Sequence, residues 1–251
     1  MNNQPFFRYD RIDGMERVHS RARESYQFLV ETVRLANTLS EKQALVALAA
    51  LIRERMKTAV PQGLVVLPGL TVDGVCDAVT TFLSESAEEG KRAQAVVTAI
   101  LQVVYDDVRT SRVNDPSRHI PGDCNVMINA QSVMAVEVRA KPVIGGEPLD
   151  FARRLQEAGI ERGMVVALAH NQGTLDVHHE SREALLRHGV LLEVRTDVRR
   201  LIHDSLMWSR FSLAEALARL PNLIRQELSR IEVHANTLLR WDELCKLQNR
   251  S

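Results

Sequence analysis

The sequence predicts an α/β fold: a central mixed sheet flanked by helices, with a helical N-terminal region and a helical C-terminal segment. Three observations carry this. Apolar residues recur at helical spacing through the first ~90 residues; the period changes to two between Asp123 and Lys141; apolar runs of strand length then alternate with amphipathic runs of helix length. At 251 residues, 45% apolar and 25% charged, the chain suits one large or two small domains and is excluded from the disordered class. The expected division is a helical region at 1–90, a sheet-bearing core at 91–210 and a helical segment at 211–251.

The elements follow in order. Charged and apolar residues mix at helical spacing from Gly14 to Leu39. Ser40 and Gln43 form a capping-box pattern ahead of QALVALAALIRERMKTAV, whose apolar content predicts a mostly buried helix. Pro61 and Gly63 end it, and LVVLPGL, broken by Pro68 and Gly69, is a brief strand or a packed loop. In KRAQAVVTAILQVVYDDVRT, residues Ala93, Val96, Val97, Ile100, Val103 and Val104 share one helical face and predict an amphipathic helix. NDPSRHIPGD is dense in turn formers and predicts a loop.

CNVMI and VMAVEVRAK, separated by the turn-like NAQS, predict an antiparallel hairpin closed by Pro142, Gly145 and Gly146. EPLDFARRLQEAG predicts a helix ending at Gly159, GMVVALAH a buried strand, SREALLRHG a helix and VLLEVRTDV a strand. Ser212 with Glu215 makes a second capping box. Pro221 is expected to interrupt, and LIRQELSRIEVHANTLLRWDELCKL to continue as one long amphipathic helix.

Charge and cysteine usage exclude several function classes. Thirty-two cationic and thirty-two anionic side chains cancel, with fifteen of each sign before Asp123 and seventeen from it onward, so no global basic field advertises a polyanion partner. Cys76, Cys124 and Cys245 are widely spaced and never in a Cys-x-x-Cys pair, which supports neither a disulfide framework nor a thiolate zinc site. No apolar run reaches the ~18 residues of a membrane span, and the N-terminus lacks a signal pattern; a cytoplasmic, membrane-free protein is expected.

Chemistry concentrates in PGDCNVMINAQSVMAVEVRAK. Strand alternation puts Met134, Val136, Val138 and Ala140 on one face and Ala135, Glu137, Arg139 and Lys141 on the other; Asp123 and Asn125 lie opposite Cys124, Val126 and Ile128. Pairing as a hairpin brings Asp123 and Glu137 to one polar face. Two carboxylates held close repel, unless a hard divalent cation lies between them; Mg²⁺ is the expected ion. The cation following Glu137 suits charge developing at a phosphate.

Asp123, followed after thirteen residues by Glu137-Val138-Arg139, resembles the PD-(D/E)xK nuclease superfamily. NDPSRHIPGD followed by AVEVRAKPV, with GKRAQAVVTAILQVVYDDV upstream, is more narrowly similar to the SacI-type type II restriction endonuclease family, over roughly Gly90 to Trp208. The resemblance implies a restriction-endonuclease-like sheet and an endonuclease of a restriction-modification system that cuts duplex DNA at a short palindrome. Asp123, Glu137 and the Val138 carbonyl would be metal ligands. Pro121-Gly122-Asp123 replaces the superfamily's adjacent Pro and Asp. Arg139 occupies the usual lysine position, with Lys141 two residues on. Arg139 is nearer Glu137 and is the first choice of catalytic cation; Lys141 takes the role if a bulge before Pro142 folds it back.

DNA-contact candidates are Arg109, Arg112, Arg118 and His119 around the loop entering Asp123, with Asn125 on the acidic face and Lys91 and Arg92 at a helix start. The helical 1–90 region is assigned to DNA recognition or dimerisation. A palindromic target implies a homodimer, and a cognate DNA methyltransferase is the functional companion. Asp106, Asp107, His170 to Gln172, and His178 and His179 read as solvated or loop residues. The alternative is a non-catalytic DNA-binding or assembly protein on the same fold.

Overall fold

The computed structural model describes residues 20, 23–58, 70–85, 87–110 and 120–248, without the side chains of 54–58. LVVLPGL up to Gly69 and residues 111–119, which include Arg112, Arg118 and His119, lie outside the described residues. The chain divides into two compact units, Met1–Pro61 with Asn114–Ser117, and Gln62–Val113 with Arg118–Ser251.

In the first unit, α1 (Arg23–Ala36) and α2 (Glu41–Thr58) are joined by a short turn. The predicted capping box is formed: the Ser40 amide donates to Gln43 Oε1 at 2.9 Å and the Gln43 amide to Ser40 Oγ at 3.4 Å. The expected burial of α2 is corrected. From 41 to 53 its side chains are exposed, with Ala49 half-buried. Apolar composition states a preference for cover without supplying the element that covers it.

The second unit carries the sheet. Its elements are α3 (Val72–Ser84), α4 (Glu89–Val104), β1 (Val108–Thr110), β2 (Cys124–Ile128), β3 (Gln131–Arg139), α5 (Glu147–Glu157), β4 (Arg162–Ala167), α6 (Val177–His188), β5 (Leu191–Arg195), α7 (Val198–Met207), α8 (Leu213–Arg230) and α9 (Ala235–Gln248). The five strands lie in the order β1-β2-β3-β4-β5, antiparallel from β1 to β3 and parallel from β3 to β5. This is the predicted mixed sheet flanked by helices, consistent with a restriction-endonuclease-like fold. The β2–β3 hairpin turns at Asn129 and Ala130, both at positive φ, the signature of a two-residue turn matched to strand twist.

Three boundaries differ from the sequence reading. The helix expected to reach Thr110 ends at Val104, and Val108–Thr110 pairs with β2 as an edge strand, where β-branched Val108 and Thr110 suit a pleat. His178 and His179 sit in the first turn of α6, which is capped by Asp176 through the His179 amide at 3.0 Å. Pro221 lies inside a continuous α8, and the break falls instead at Ile231–His234, where Glu232 adopts φ +57°. Trp241 Nε1 donates to the Pro221 carbonyl at 3.0 Å and fixes α9 against that point.

The sheet has two apolar faces. Ala135, Val165, Leu192 and Val194 form one buried cluster with Phe151, Ala152 and Leu155 of α5 and Ala184 of α6. On the other face Cys124 Sγ lies 3.1 Å from Thr98 Oγ1 of α4, which packs against α8. The sheet is thereby covered on both sides, and β3 is polar at its two ends, with Gln131 and Ser132 at the hairpin turn and Glu137 and Arg139 at the C-terminal end.

Candidate active site

Gly122 delivers the chain to this end of the sheet. Its φ is +94°, and a Cβ there would stand 3.0 Å from the Val136 carbonyl oxygen and 3.1 Å from the Val136 nitrogen, so only glycine allows this approach. The Asp123 amide then donates to the Val136 carbonyl at 2.7 Å, and the Val138 amide donates to Asp123 Oδ2 at 2.8 Å. Asp123 is therefore fastened to the two residues that flank Glu137. From below, buried Gln94 of α4 donates its Nε2 to the Asp123 carbonyl at 3.2 Å.

Glu137 is held from the other side. Its side chain is 14% exposed; Oε1 lies 2.9 Å from Arg139 Nη2, and Oε2 lies 3.7 Å from Arg154 Nη2 of α5. Arg154 is itself placed over the ring of buried Phe151, 5.2 Å from the centroid. Glu137 thus faces two guanidinium groups, one at each carboxylate oxygen. The Arg139 carbonyl accepts the Leu168 amide at 2.8 Å on the β4 side, so strand alternation turns the Val138 carbonyl toward the opposite edge, where Asp123 sits.

Two carboxylates and a main-chain carbonyl are hard oxygen donors, the set a magnesium ion takes when substrate oxygens and water complete its shell. No group of three or more His, Cys, Asp and Glu able to hold a metal occurs among the described residues.

The predicted residues separate on placement. Asp123, Glu137, Val138 and Arg139 come together. Lys141 is exposed beyond the end of β3, in a bend, and makes no ion pair among the described residues, whereas Arg139 pairs with Glu137. Arg92 is 3% exposed, its Nη1 donating to the Phe82 carbonyl and to Glu85 Oε2, both at 2.8 Å; its burial between α3 and α4 corrects the expectation that it faces DNA. Asn125 is also buried and accepts from Ser132 Oγ at 2.9 Å, a cross-strand contact that leaves it inside the hairpin. Lys91 Nζ binds the Glu232 carbonyl at 2.8 Å and Glu88 at 3.3 Å. The exposed Arg109 side chain pairs with Asp107 at 2.9 Å, and its backbone lies opposite Asn125 of β2, two residues from Asp123.

Four positions escaped the sequence reading. Gln94 and Arg154 come from helices before and after the hairpin, and no local pattern connects them to it. Gln172, read as a loop residue, clamps the segment after Lys141: its Oε1 accepts the Val143 amide at 2.8 Å and its Nε2 donates to the Val143 carbonyl at 2.9 Å. Glu180 of α6, buried, accepts the Gly146 amide at 3.1 Å. A polar residue on the buried face of an apolar helix was the available signal for Gln94.

No protein-family model matches the chain. Among curated proteins it is 28% identical over 248 residues to Type II restriction enzyme SacI of Streptomyces achromogenes, across 97% of this chain and 69% of that protein. The similarity supports a relationship to type II restriction endonucleases and extends well beyond the hairpin. Among the described residues no helix is long and apolar enough to cross a membrane.

Proposed function

We propose that this protein is a sequence-specific, divalent-metal-dependent endonuclease that cuts duplex DNA at a short palindrome, as a type II restriction enzyme does. The observation that supports the reading is the fastening of Asp123 to Val136 and Val138, the two residues that flank Glu137 on β3. Asp123, Glu137 and the Val138 carbonyl would hold Mg²⁺, which supplies Lewis-acid polarisation of the phosphate and acidifies a water. Val136, Val138 and Gln94 orient Asp123. Arg139 orients Glu137 and, always charged, stabilises negative charge on the phosphate without moving a proton.

The wider reading follows. The 1–90 region serves DNA recognition or dimerisation, the 91–210 core carries the chemistry, and two copies act on the two strands in the cytoplasm of a cell whose cognate methyltransferase protects its own sites. Of the basic residues near the Asp123 loop, Arg109, Arg112, Arg118 and His119 are the proposed phosphate contacts.

One observation favours a second reading, a DNA-binding protein without turnover: the superfamily's lysine is replaced by Arg139, which is engaged with Glu137. Cleavage of supercoiled and linear DNA with Mg²⁺ or EDTA separates the two. Discrete, metal-dependent fragments that vanish in Asp123→Ala and Glu137→Ala support the nuclease; binding without cleavage across Mg²⁺ and Mn²⁺ supports the second reading.

A further inference from the structure

Each oxygen of the Glu137 carboxylate faces a different guanidinium, Arg139 at 2.9 Å and Arg154 at 3.7 Å. Among the described residues, the four formal charges of Asp123, Glu137, Arg139 and Arg154 cancel. A cation approaching the DNA-free protein meets a neutral cluster instead of a dianionic one, and Arg154 already occupies part of the field it would fill. The two arginines are held unequally. Arg139 is on the same strand as Glu137, whereas Arg154 reaches in from α5 and makes the longer contact; the two side chains are similarly exposed, 44% and 41%. The Arg154 guanidinium lies 5.2 Å from the Phe151 ring centroid and its side chain is 41% exposed, so an arriving anion can reach it.

We infer that Arg154 is a positioning residue for Glu137 that suppresses cation binding in the DNA-free protein and releases the carboxylate when a DNA phosphate takes the guanidinium. This rests on the metal-dependent reading of Asp123 and Glu137. A phosphodiester adds one negative charge and an acceptor that a planar guanidinium matches, so metal and DNA load together. An isolated protein then binds Mg²⁺ weakly, and the chain carries its own guard against nicking by a metal-loaded site before DNA is seated.

The test titrates Ca²⁺ and Mn²⁺ calorimetrically into the full-length protein, alone and, for Ca²⁺, with a mixed-sequence duplex. Arg154→Met keeps an apolar stem for Phe151 and removes the charge. Removing one unit charge about 6 Å from a divalent ion in a water-like dielectric strengthens binding by about tenfold. The expected result is that tightening in the DNA-free protein, a smaller gain on adding duplex than in wild type, and recovery of wild-type behaviour in Arg154→Lys. Unchanged or weaker DNA-free affinity in Arg154→Met, with its thermal midpoint retained, overturns the inference. Should that variant unfold, Arg154→Gln is read by the same criteria. If wild type binds no divalent cation with or without duplex, or if Asp123→Asn and Glu137→Gln bind as well as wild type, the metal-site reading itself fails. Binding that depends on both acids and ignores Arg154 removes this inference alone.

Discussion

The Val138 amide donates to Asp123 Oδ2 at 2.8 Å, while the Asp123 amide donates to the Val136 carbonyl at 2.7 Å. One oxygen of Asp123 is therefore engaged by the hairpin backbone, while in the proposed function the carboxylate's charge would serve the metal. Asp123→Asn retains an oxygen for the Val138 amide and should leave stability within about 1 kcal/mol of wild type, while lowering metal-dependent cleavage at least about a hundredfold. Asp123→Ala strands the amide and should cost about 1–3 kcal/mol as well. Thermal denaturation beside single-turnover cleavage checks both; equal stability loss in the two variants would remove the hydrogen bond from the account.

Gly122 governs how closely Asp123 approaches β3. In Gly122→Ala the new methyl group meets the Val136 backbone at about van der Waals overlap, at a φ of +94° that side chains rarely adopt. The expected cost is about 1–3 kcal/mol, with cleavage falling further than stability because the Asp123 carboxylate is displaced while the covered sheet persists. Activity retained at the wild-type level in a folded Gly122→Ala protein would show that this approach is not required.

Much of this was legible in the sequence, and the reason is local. A period of two over nine residues put Glu137 and Arg139 on one side of β3 without reference to anything distant, although Ala135 on that side is buried under α5, so both faces of the sheet are apolar and only the strand end is polar. Gly122 was visible only as a departure from a pattern; the close approach that demands it is made by Val136 across the hairpin. Arg154 and Gln94 were not legible, because their roles are contacts between elements far apart in sequence. The break after Arg230 was hidden for the same cause: Lys91 binds the Glu232 carbonyl and Glu88 binds the His234 amide, so tertiary partners stop a helix whose own periodicity would continue.

Cysteine chemistry should play no part. Cys76, Cys124 and Cys245 are all buried and form no disulfide. Burial, then the charge of Asp242, pushes the Cys245 thiol up to about 12, and burial likewise raises Cys76. At pH 8 a disulfide-exchange reagent should label none of the three in the native protein within minutes and all three in denaturant. Metal-dependent cleavage should be insensitive to alkylation of the native protein. Rapid labelling of Cys124 under native conditions would show that the contact between α4 and the sheet opens.

Acid should act first on the junction between α9 and the α3–α4 turn. Burial works to raise Glu85 and Glu88, but hydrogen bonds outweigh it: Arg92 and Arg240 hold Glu85, and Thr237 Oγ1 at 2.7 Å, the His234 amide at 2.9 Å and Lys91 hold Glu88, so both carboxyls lie below their ordinary value. A carboxyl depressed in the folded state stabilises fully above the unfolded value, about 4.3, and that stability is lost as pH falls through the folded value. Wild-type stability should therefore decline below about pH 5 and keep falling toward pH 3. Glu88→Gln keeps the side chain's size and one acceptor oxygen but loses the charge, and should cost about 1–2 kcal/mol at pH 7 while flattening that decline. Urea denaturation of both proteins from pH 7 to pH 3 measures it. Parallel curves for wild type and Glu88→Gln would place the acid-sensitive group elsewhere in the fold.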